Sequence, residues 1–487
     1  MLKTRRAGLF AAVCSFGLLA GLAAPASAES LNDAIALAYE TNPTLQGQRA
    51  SQRALDESIV QARTGFRPSV SLSADVSAID GDGAGDAYRS SGAGVSVSQP
   101  LYTGGRVSSQ ISAAEANVLA GREGLRGVEA SVIQAVITAY VDVRRDQERL
   151  RISQENVAVL QRQLDESKAR FEVGEITRTD VAQSEARLAA SRASLASAQA
   201  QLAISRAGYA AVVGQNPGDL EPEPSLEGLL PPVVDEAFFA AEDNNAQILA
   251  AEYAERASRA QVAVARSARR PTVTASGSVG WDASTAPGTS SAAGGAFNDY
   301  ERGVRGGVSV SVPLFTGGLI NSQIRAAQER NNADRQAIEE ARRTVLRTVS
   351  QAWNSLVGAR ANLVANEEQV RAARIAFEGV RQEAQVGLRT TLDVLNAEQE
   401  LRGAELSLVN ARRDEYVAAA VLLSAMGKLE ARYLTPAVTP YDPTTAGKGL
   451  SRSLGWVPWE PGVALVDRVG APPKGAPPAD APVRTAK

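Results

Sequence analysis

The chain has 487 residues, a formal net charge of −3 and no histidine. Without histidine it lacks the commonest general base, the Ser-His class of activated nucleophile and most zinc sites. Its acidic balance argues against a nucleic-acid partner, which requires a basic face. The only cysteine, Cys14, lies near the N-terminus, so the rest of the chain offers neither a disulfide nor a thiolate. We therefore predict that the protein is not an enzyme and holds no cofactor or metal.

The first 28 residues have the pattern of a cleaved signal peptide. Lys3, Arg5 and Arg6 precede an apolar run from Leu9 to Leu22, and Ala26-Ser27-Ala28 provides the small-residue cleavage site. No later stretch approaches the length of apolar sequence that a spanning helix needs. We predict an exported protein that can enter a membrane only without helices.

One helix from Leu31 to Arg63 is expected next, ended by Arg67-Pro68. The period of the apolar residues then changes from 3.6 to 2, which indicates β-strands. Two such stretches flank a Gly/Asp-rich loop, Asp80 to Asp86, and the same pair recurs downstream. The alternating apolar residues are Val70, Leu72, Ala74, Val76, Val95 and Val97 in the first pair and Val273, Ala275, Val279, Val308, Val310 and Val312 in the second.

A long helical hairpin follows each predicted strand pair. Along its first helix, apolar residues recur at every seventh position: Val136, Val143, Leu150, Val157, Leu164 and Phe171, and again Val349, Leu356, Leu363, Val370 and Phe377. This spacing is typical of long helices wound against neighbours. The first of these helices, from Thr103 to Phe171, would span on the order of 100 Å.

The whole pattern occurs twice. Pro100-Leu-Tyr-Thr-Gly-Gly105 precedes the first hairpin and Pro313-Leu-Phe-Thr-Gly-Gly318 the second, at an offset of 213 residues (313 minus 100). The hairpins turn at Val173-Gly-Glu-Ile-Thr-Arg-Thr-Asp-Val181 and Val386-Gly-Leu-Arg-Thr-Thr-Leu-Asp-Val394, at the same offset. Such duplication predicts two structurally equivalent halves.

The offset is shorter before the strands. Arg67-Pro68 and Arg270-Pro271 are only 203 residues apart (270 minus 67), so ten extra residues fall in the loop of the second strand pair, from about Ala283 to Arg302. Loops at the outer rim of a membrane barrel tolerate such insertions.

Four strands of this kind cannot close a barrel alone. In a membrane an open edge leaves unpaired backbone groups, each costing several kcal/mol, so copies of the chain must share one barrel. Two copies would give eight strands and a filled interior, and three would give twelve strands and a lumen. A soluble β-sandwich is the alternative interpretation of the same alternation.

These features predict four regions. Residues 1–28 form the signal peptide, 29–225 the first structural repeat (helix, two strands, long hairpin), and 226–435 a second repeat of the same design. Residues 436–487 form a Pro/Gly-rich tail, expected to be largely disordered. Trp456, Val457 and Trp459 are the expected anchoring group of the tail.

The two Pro-Leu-[Tyr/Phe]-x-Gly-Gly junctions and two Val-Gly-x(5)-Asp-Val tips resemble the TolC-like family of outer-membrane efflux and secretion channels over nearly all of residues 30–430. The resemblance implies an α+β membrane protein. Long antiparallel coiled-coil hairpins would build a periplasmic α-barrel, and four transmembrane strands per chain would form a 12-stranded β-barrel in a homotrimer. The location implied is the outer membrane, in contact with its lipid, with the helical tunnel in the periplasm.

The implied function is passive conduction from an inner-membrane ABC or proton-driven exporter to the exterior, through a periplasmic adaptor. The cargo would be exported proteins (type I secretion) or small toxic compounds (multidrug efflux). A periplasmic coiled-coil adaptor or scaffold is the alternative, but it would not need four lipid-facing strands. A secreted enzyme using carboxylates is disfavoured because no acidic pair lies at close spacing.

The resemblance also implies site residues. Thr179 and Asp180 on the first tip match the acceptors of the gate, and Arg389 on the second tip matches the donor. Asp393 and Asn396 match the two positions of a periplasmic entrance ring that attracts cations and, where crowded, has raised pKa values. An alternative for Asp180 and Asp393 is a capping role at a helix N-terminus, and for Arg389 a plain surface charge.

Two further family positions are informative. The aromatic gating position falls on Ala384, so that part of the latch is missing. The tips that would dock onto the adaptor are Val173, Gly174 and Glu175 in the first repeat and Val386, Gly387 and Leu388 in the second.

Overall fold

A computed structural model describes residues 29–79, 88–284, 300–435, 440–443 and 456–469. The predicted signal peptide lies outside the described residues, as do the loop Asp80 to Asp86, most of the second strand loop and most of the tail. The fold is mostly helical, with one small antiparallel sheet.

Each repeat begins with a helix broken at an asparagine. The prediction of a single helix from Leu31 to Arg63 is wrong, because α1 (Leu31–Thr41) and α2 (Pro43–Arg63) are separated by Asn42 in an extended conformation. Pro43 has no N–H and clashes with a preceding turn, while the Asn42 side chain caps α2 by accepting from Thr44 N at 3.0 Å.

The second repeat uses the same device. Helices α5 (Val234–Asn244) and α6 (Ala246–Ser267) are separated by Asn245, whose side chain accepts from Gln247 N at 2.9 Å. Asn42 and Asn245 also donate to the ends of the long hairpins, at Val212 O (2.9 Å) and Ala425 O (2.8 Å) respectively.

The sheet has the strand order β1-β2-β3-β4, with the helices of the first hairpin and the start of the second repeat inserted between β2 and β3. Its strands are β1 (Ser69–Ile79), β2 (Tyr88–Tyr102), β3 (Thr272–Ser284) and β4 (Glu301–Ser311), and every neighbouring pair is antiparallel. Strand β2 continues past its predicted end at Pro100, with an irregular register between Pro100 and Tyr102. A short 3₁₀ turn, Thr64–Phe66, joins α2 to β1.

The long hairpins form as the sevenfold spacing predicts. The first consists of α3 (Arg106–Glu172) and α4 (Arg178–Val213), and the second of α7 (Leu319–Gln385) and α8 (Thr391–Ala425). Among the described residues, none of the helices combines the length and apolarity required to cross a bilayer.

Burial along the hairpin seam changes from one end to the other. Val136, Val143 and Val349 are fully buried, whereas Phe171, the last member of the first seam, is 45% exposed. The main hydrophobic core therefore lies midway along α3 and α7, where α4 and α8 end and α1 packs against them. Tyr140 is buried in this core, and desolvation raises its pKa to about 12.

Two short helices follow the second hairpin, α9 (Ala431–Leu434) and α10 (Glu460–Asp467). Helix α10, in the described part of the tail, packs against the first strand-to-helix junction. Asp467 accepts hydrogen bonds there from Thr103 N (2.8 Å), Gly105 N (3.1 Å) and Ser108 Oγ (2.9 Å).

Candidate functional site: the hairpin tips

The first tip is a glycine turn followed by a capping box. Gly174 has φ 78°, in the left-handed region that favours glycine. Thr177 is the N-cap of helix α4. Its N–H and hydroxyl donate to Asp180 Oδ2 at 2.9 and 2.8 Å, while Asp180 N donates back to Thr177 Oγ1 at 3.4 Å. The bonds from the Thr177 hydroxyl and N–H hold the pKa of Asp180 below its ordinary value.

The second tip repeats this geometry. Gly387 also has φ 78°, and the Thr390 N–H and hydroxyl donate to Asp393 Oδ2 at 3.0 and 2.8 Å. These bonds, the backbone one first, lower the pKa of Asp393, and the charge of Arg389 adds to the effect. In the single chain both aspartates are therefore ionised and cap a helix. The exposed side of each carboxylate can still accept a bond from a further partner.

The predicted gate residues lie at the tips, but one chain does not pair them. Arg389 Nε donates to Glu383 Oε2 at 2.7 Å within its own hairpin, and both side chains are about half exposed. Asp180 is engaged by Thr177, and Thr179 is exposed beside it. Among the ion pairs of the described ranges, none joins Arg389 to Asp180.

The predicted entrance residue Asn396 links the two hairpins. Its Oδ1 accepts from Arg187 Nη2 of α4 at 3.1 Å, and Arg187 also contacts Gln399 of α8. Sequence reasoning missed Arg187, because nothing in the spacing of α4 specifies a partner on another hairpin.

Glu398 is a second residue near the tip that sequence reasoning missed. It is 2% exposed, and its Oε1 has no hydrogen-bond partner within the described part of the chain. Desolvation raises its pKa to about 7, against the opposing charges of Arg402, Arg162 and Arg381. The sequence did contain a sign of this burial. Glu398 lies three positions after Leu395 and three before Leu401, on the apolar stripe of α8.

The residues predicted to dock the adaptor are all exposed. Val173 is 72%, Val386 71% and Leu388 75% exposed, and Gly174, Glu175 and Gly387 are exposed beside them. The described residues contain no group of carboxylates arranged to hold a metal ion.

A family model described as outer membrane efflux protein matches residues 34–215 and 240–428, which include both hairpins and both tips. The chain belongs to this family. Outer membrane efflux protein BepC of Brucella suis is 34% identical over 421 residues, covering 86% of this chain and 90% of BepC. Outer membrane protein TolC of Vibrio cholerae is 28% identical over 418 residues, covering 82% of this chain and 91% of TolC.

The fold of this family member is also that of solved channels. The outer-membrane channel OprN superimposes with a TM-score of 0.68 at 24% identity, covering 82% of this chain and 90% of OprN. The resemblance to TolC-like channels is thus confirmed. The protein is an outer-membrane channel for efflux or secretion, with its helical tunnel in the periplasm, and the alternative of a periplasmic scaffold is set aside.

Proposed function

We propose that three copies of this chain form one passive duct, with a 12-stranded β-barrel in the outer membrane and a tunnel of twelve long helices below it. The single observation that carries this proposal is the sheet of one chain, which ends at two open edges, β1 and β4. Val70 and Leu72 on β1 and Val308 on β4 are 65–78% exposed in the single chain. An apolar sheet with open edges requires neighbours in a membrane.

The helices support the same assembly. Helix α6 of the second repeat lies against both α3 and α7, whereas its equivalent α2 lies against α3. The repeat therefore predicts that the other side of α2 contacts α7 of a neighbouring copy. Leu346 on α7 is 43% exposed, while its equivalent in the first repeat, Ile133, is 2% exposed. A neighbouring copy would cover Leu346 as this chain covers Ile133.

The internal repeat also supplies the register of closure. Within the chain, Ser98 of β2 pairs with Ser276 of β3. Strand β4 is offset from β2 by 213 residues and β1 from β3 by 203, so the equivalent pair between copies is Ser311 (98 plus 213) and Ser73 (276 minus 203). We expect Ser311 of one copy to lie opposite Ser73 of the next.

A cysteine pair tests this register, because the chain after residue 28 contains no cysteine of its own. The double variant Ser73→Cys with Ser311→Cys should oxidise to a covalent ring of three chains on a denaturing gel. The control Ser73→Cys with Ser309→Cys, two residues off register, should cross-link poorly, since diagonal neighbours lie about 7–8 Å apart. A ring of two chains would contradict the trimer, and equal cross-linking of both pairs would contradict the register.

The two structural repeats, 29–225 and 226–435, are the proposed units of this wall, preceded by a signal peptide, 1–28, that is removed on export. We place the contacts with a periplasmic adaptor at the six exposed tip residues, and an inner-membrane ABC or proton-driven exporter beyond it.

Relatives named for efflux and for protease secretion both match this chain, so both cargo classes remain within the proposal. As a duct, the protein needs no catalytic group.

The tips are the proposed gate. Arg389 and the pair Thr179 and Asp180 would bond across the constriction in the closed assembly, and three copies of Asp393 would form the entrance ring, with Asn396 at the second ring position. The exposed carboxylates and guanidinium at the tips support this proposal. A charge-assisted bond of this kind is worth roughly 1–3 kcal/mol.

A further inference from the structure

A cavity of about 190 Å³ lies between α1, α2, α3 and the segment 440–443, far from the tips. Its lining is unusually rich in arginine: Arg49, Arg122, Arg126 and Arg432. The cavity is unrelated to the predicted gate and entrance, and none of the duct's proposed contacts uses it.

Arg49 of α2 is the central residue of this cavity. Its guanidinium carbon lies 4.4 Å from the ring centroid of Tyr39 and 5.0 Å from that of Tyr441, so the plane of donors is held by two aromatic rings. Arg49 is only 7% exposed, yet its Nε and Nη2 have no hydrogen-bond partner among the described residues. Buried donors in folded proteins ordinarily have partners, so two donors at the wall of a cavity indicate a missing acceptor.

Among the described residues, no carboxylate of the lining accepts from the free donors of Arg49. Arg126 and Arg432 are bound to Glu430, at 2.8 and 2.6 Å. The Nε of Arg122 is buried without a partner, like those of Arg49, and its Nη2 is 3.9 Å from Asp56.

The carboxylates of the lining are fewer than its guanidiniums. Four arginines against Glu129 and Glu430 give the lining a formal charge of +2, while Glu123 and Asp56, just outside the lining, lie within ion-pair distance of Arg126 and Arg122. Glu129 accepts from Ala431 N at 3.2 Å, and its burial raises its pKa above the ordinary value. Asp442 is exposed beside the rim, between Tyr441 and Pro443.

We propose that this cavity binds a small phosphate-like oxyanion, which accepts from the Arg49 fork and from Arg122 and so ties α2 and α3 to the segment that carries Tyr441. Arginine forks match the geometry of phosphate oxygens. Lipid headgroups are out of reach, because Arg49 precedes the sheet-side end of α2, Arg63, by 14 residues (63 minus 49), or about 20 Å of helix. The ligand is therefore a soluble anion.

The test is equilibrium dialysis of the full-length protein, in detergent free of phospholipid, against radiolabelled inorganic phosphate at fixed ionic strength. The wild type should bind one phosphate per chain saturably and should melt at a higher temperature in phosphate than in chloride, because a ligand of the folded state stabilises it. Arg49→Gln should weaken phosphate binding at least tenfold. Arg53→Gln, an exposed arginine on the same helix, should leave it unchanged.

Arg49→Lys guards against a variant that fails to fold, since it keeps the charge but loses the planar fork. It should assemble normally and bind phosphate several-fold more weakly. No saturable binding by the wild type would overturn the proposal and assign the cavity to water alone. Wild-type affinity in either Arg49 variant would overturn it as well.

Discussion

Asp393 combines two roles that substitutions can separate. Its carboxylate caps α8 through Thr390, and in the assembly it is the proposed ring that attracts cations. Asp393→Asn keeps an oxygen acceptor for Thr390 but removes the charge, so it should relieve block of the open channel by trivalent cations in planar bilayers.

The matched variant for this experiment is Thr390→Ala. It removes the N-cap, at a cost of about 1 kcal/mol, and keeps the carboxylate, so cation block should persist. If block survives in Asp393→Asn, the ring lies at other residues.

Arg389 has one partner, Glu383, in the single chain and a different proposed partner, Asp180, in the closed gate. In the single chain it binds Glu383, an exposed pair of the kind that usually contributes little stability. If Arg389 instead closes the gate through Asp180, then Arg389→Ser and Asp180→Asn should both raise the conductance of the resting channel, and Glu383→Gln should not. An effect of Glu383→Gln as large as that of Arg389→Ser would identify the pair as structural.

Glu398 makes the stability of the tip region depend on pH. Its pKa of about 7 in the folded chain lies above the ordinary value of about 4.3, so the folded state binds the proton more tightly. Stability is therefore greatest at low pH and falls as the pH rises from about 4.3 through the raised value.

Glu398→Gln should remove that dependence and raise stability at pH 8 by on the order of 2 kcal/mol. The measurement is the thermal midpoint at pH 5 and pH 8. Glu400→Gln, an exposed residue on the same helix, is the control and should behave as wild type. A Glu398→Gln protein whose midpoint still falls with pH would contradict the assignment.

At the scale of elements, α10 acts as a cap for α3. Asp467 is fully buried, which by itself raises its pKa, but the bonds from Thr103, Gly105 and Ser108 outweigh burial and leave the pKa below its ordinary value. Nearby, Glu460 pairs with the buried Arg67 at 2.9 Å. Asp467 therefore stabilises the folded chain above about pH 3.9. This stabilisation is lost as the pH falls through the lowered pKa that Asp467 has in the folded state.

Truncation tests α10 with an internal control. A chain ending after residue 455 lacks the helix and should lose about 2–4 kcal/mol, because buried donors at the start of α3 are left without acceptors. A chain ending after Val469 keeps α10 and should melt like the full-length protein. Equal midpoints for the two truncations would show that α10 contributes nothing.

The sequence predicted some elements well and others poorly, for physical reasons. The hairpins and their tips were predictable because sevenfold spacing and the Val-Gly turns are local patterns. The break at Asn42 was also visible, as Asn-Pro, but apolar periodicity on both sides concealed it. The contact of Asp467 with Thr103 joins residues 364 positions apart, and no spacing in the sequence specifies such a partner. The tips were located correctly because their turns are local patterns. The bond from Arg187 to Asn396 was not foreseen because it joins two hairpins.

At the scale of the whole molecule, exposure on α7 identifies the face that another copy should cover. Leu346→Arg should leave the single-chain fold intact but prevent assembly, because the equivalent Ile133 is buried. Val364→Arg is the control, since its equivalent in the first repeat is already an arginine, Arg151, with a side chain 54% exposed. Light scattering in detergent should give three chains for Val364→Arg and one for Leu346→Arg. Normal assembly of the Leu346 variant would remove this face from the interface.

The cap that α10 places on the first junction sets an order of events during biogenesis. Thr103, Gly105 and Ser108 leave the translocon before the carboxylate that satisfies them, because Asp467 follows Thr103 by 364 residues. The start of α3 therefore lacks this acceptor until Asp467 has been exported. A product that ends before Asp467 would leave the donors of Thr103 and Gly105 without their carboxylate acceptor.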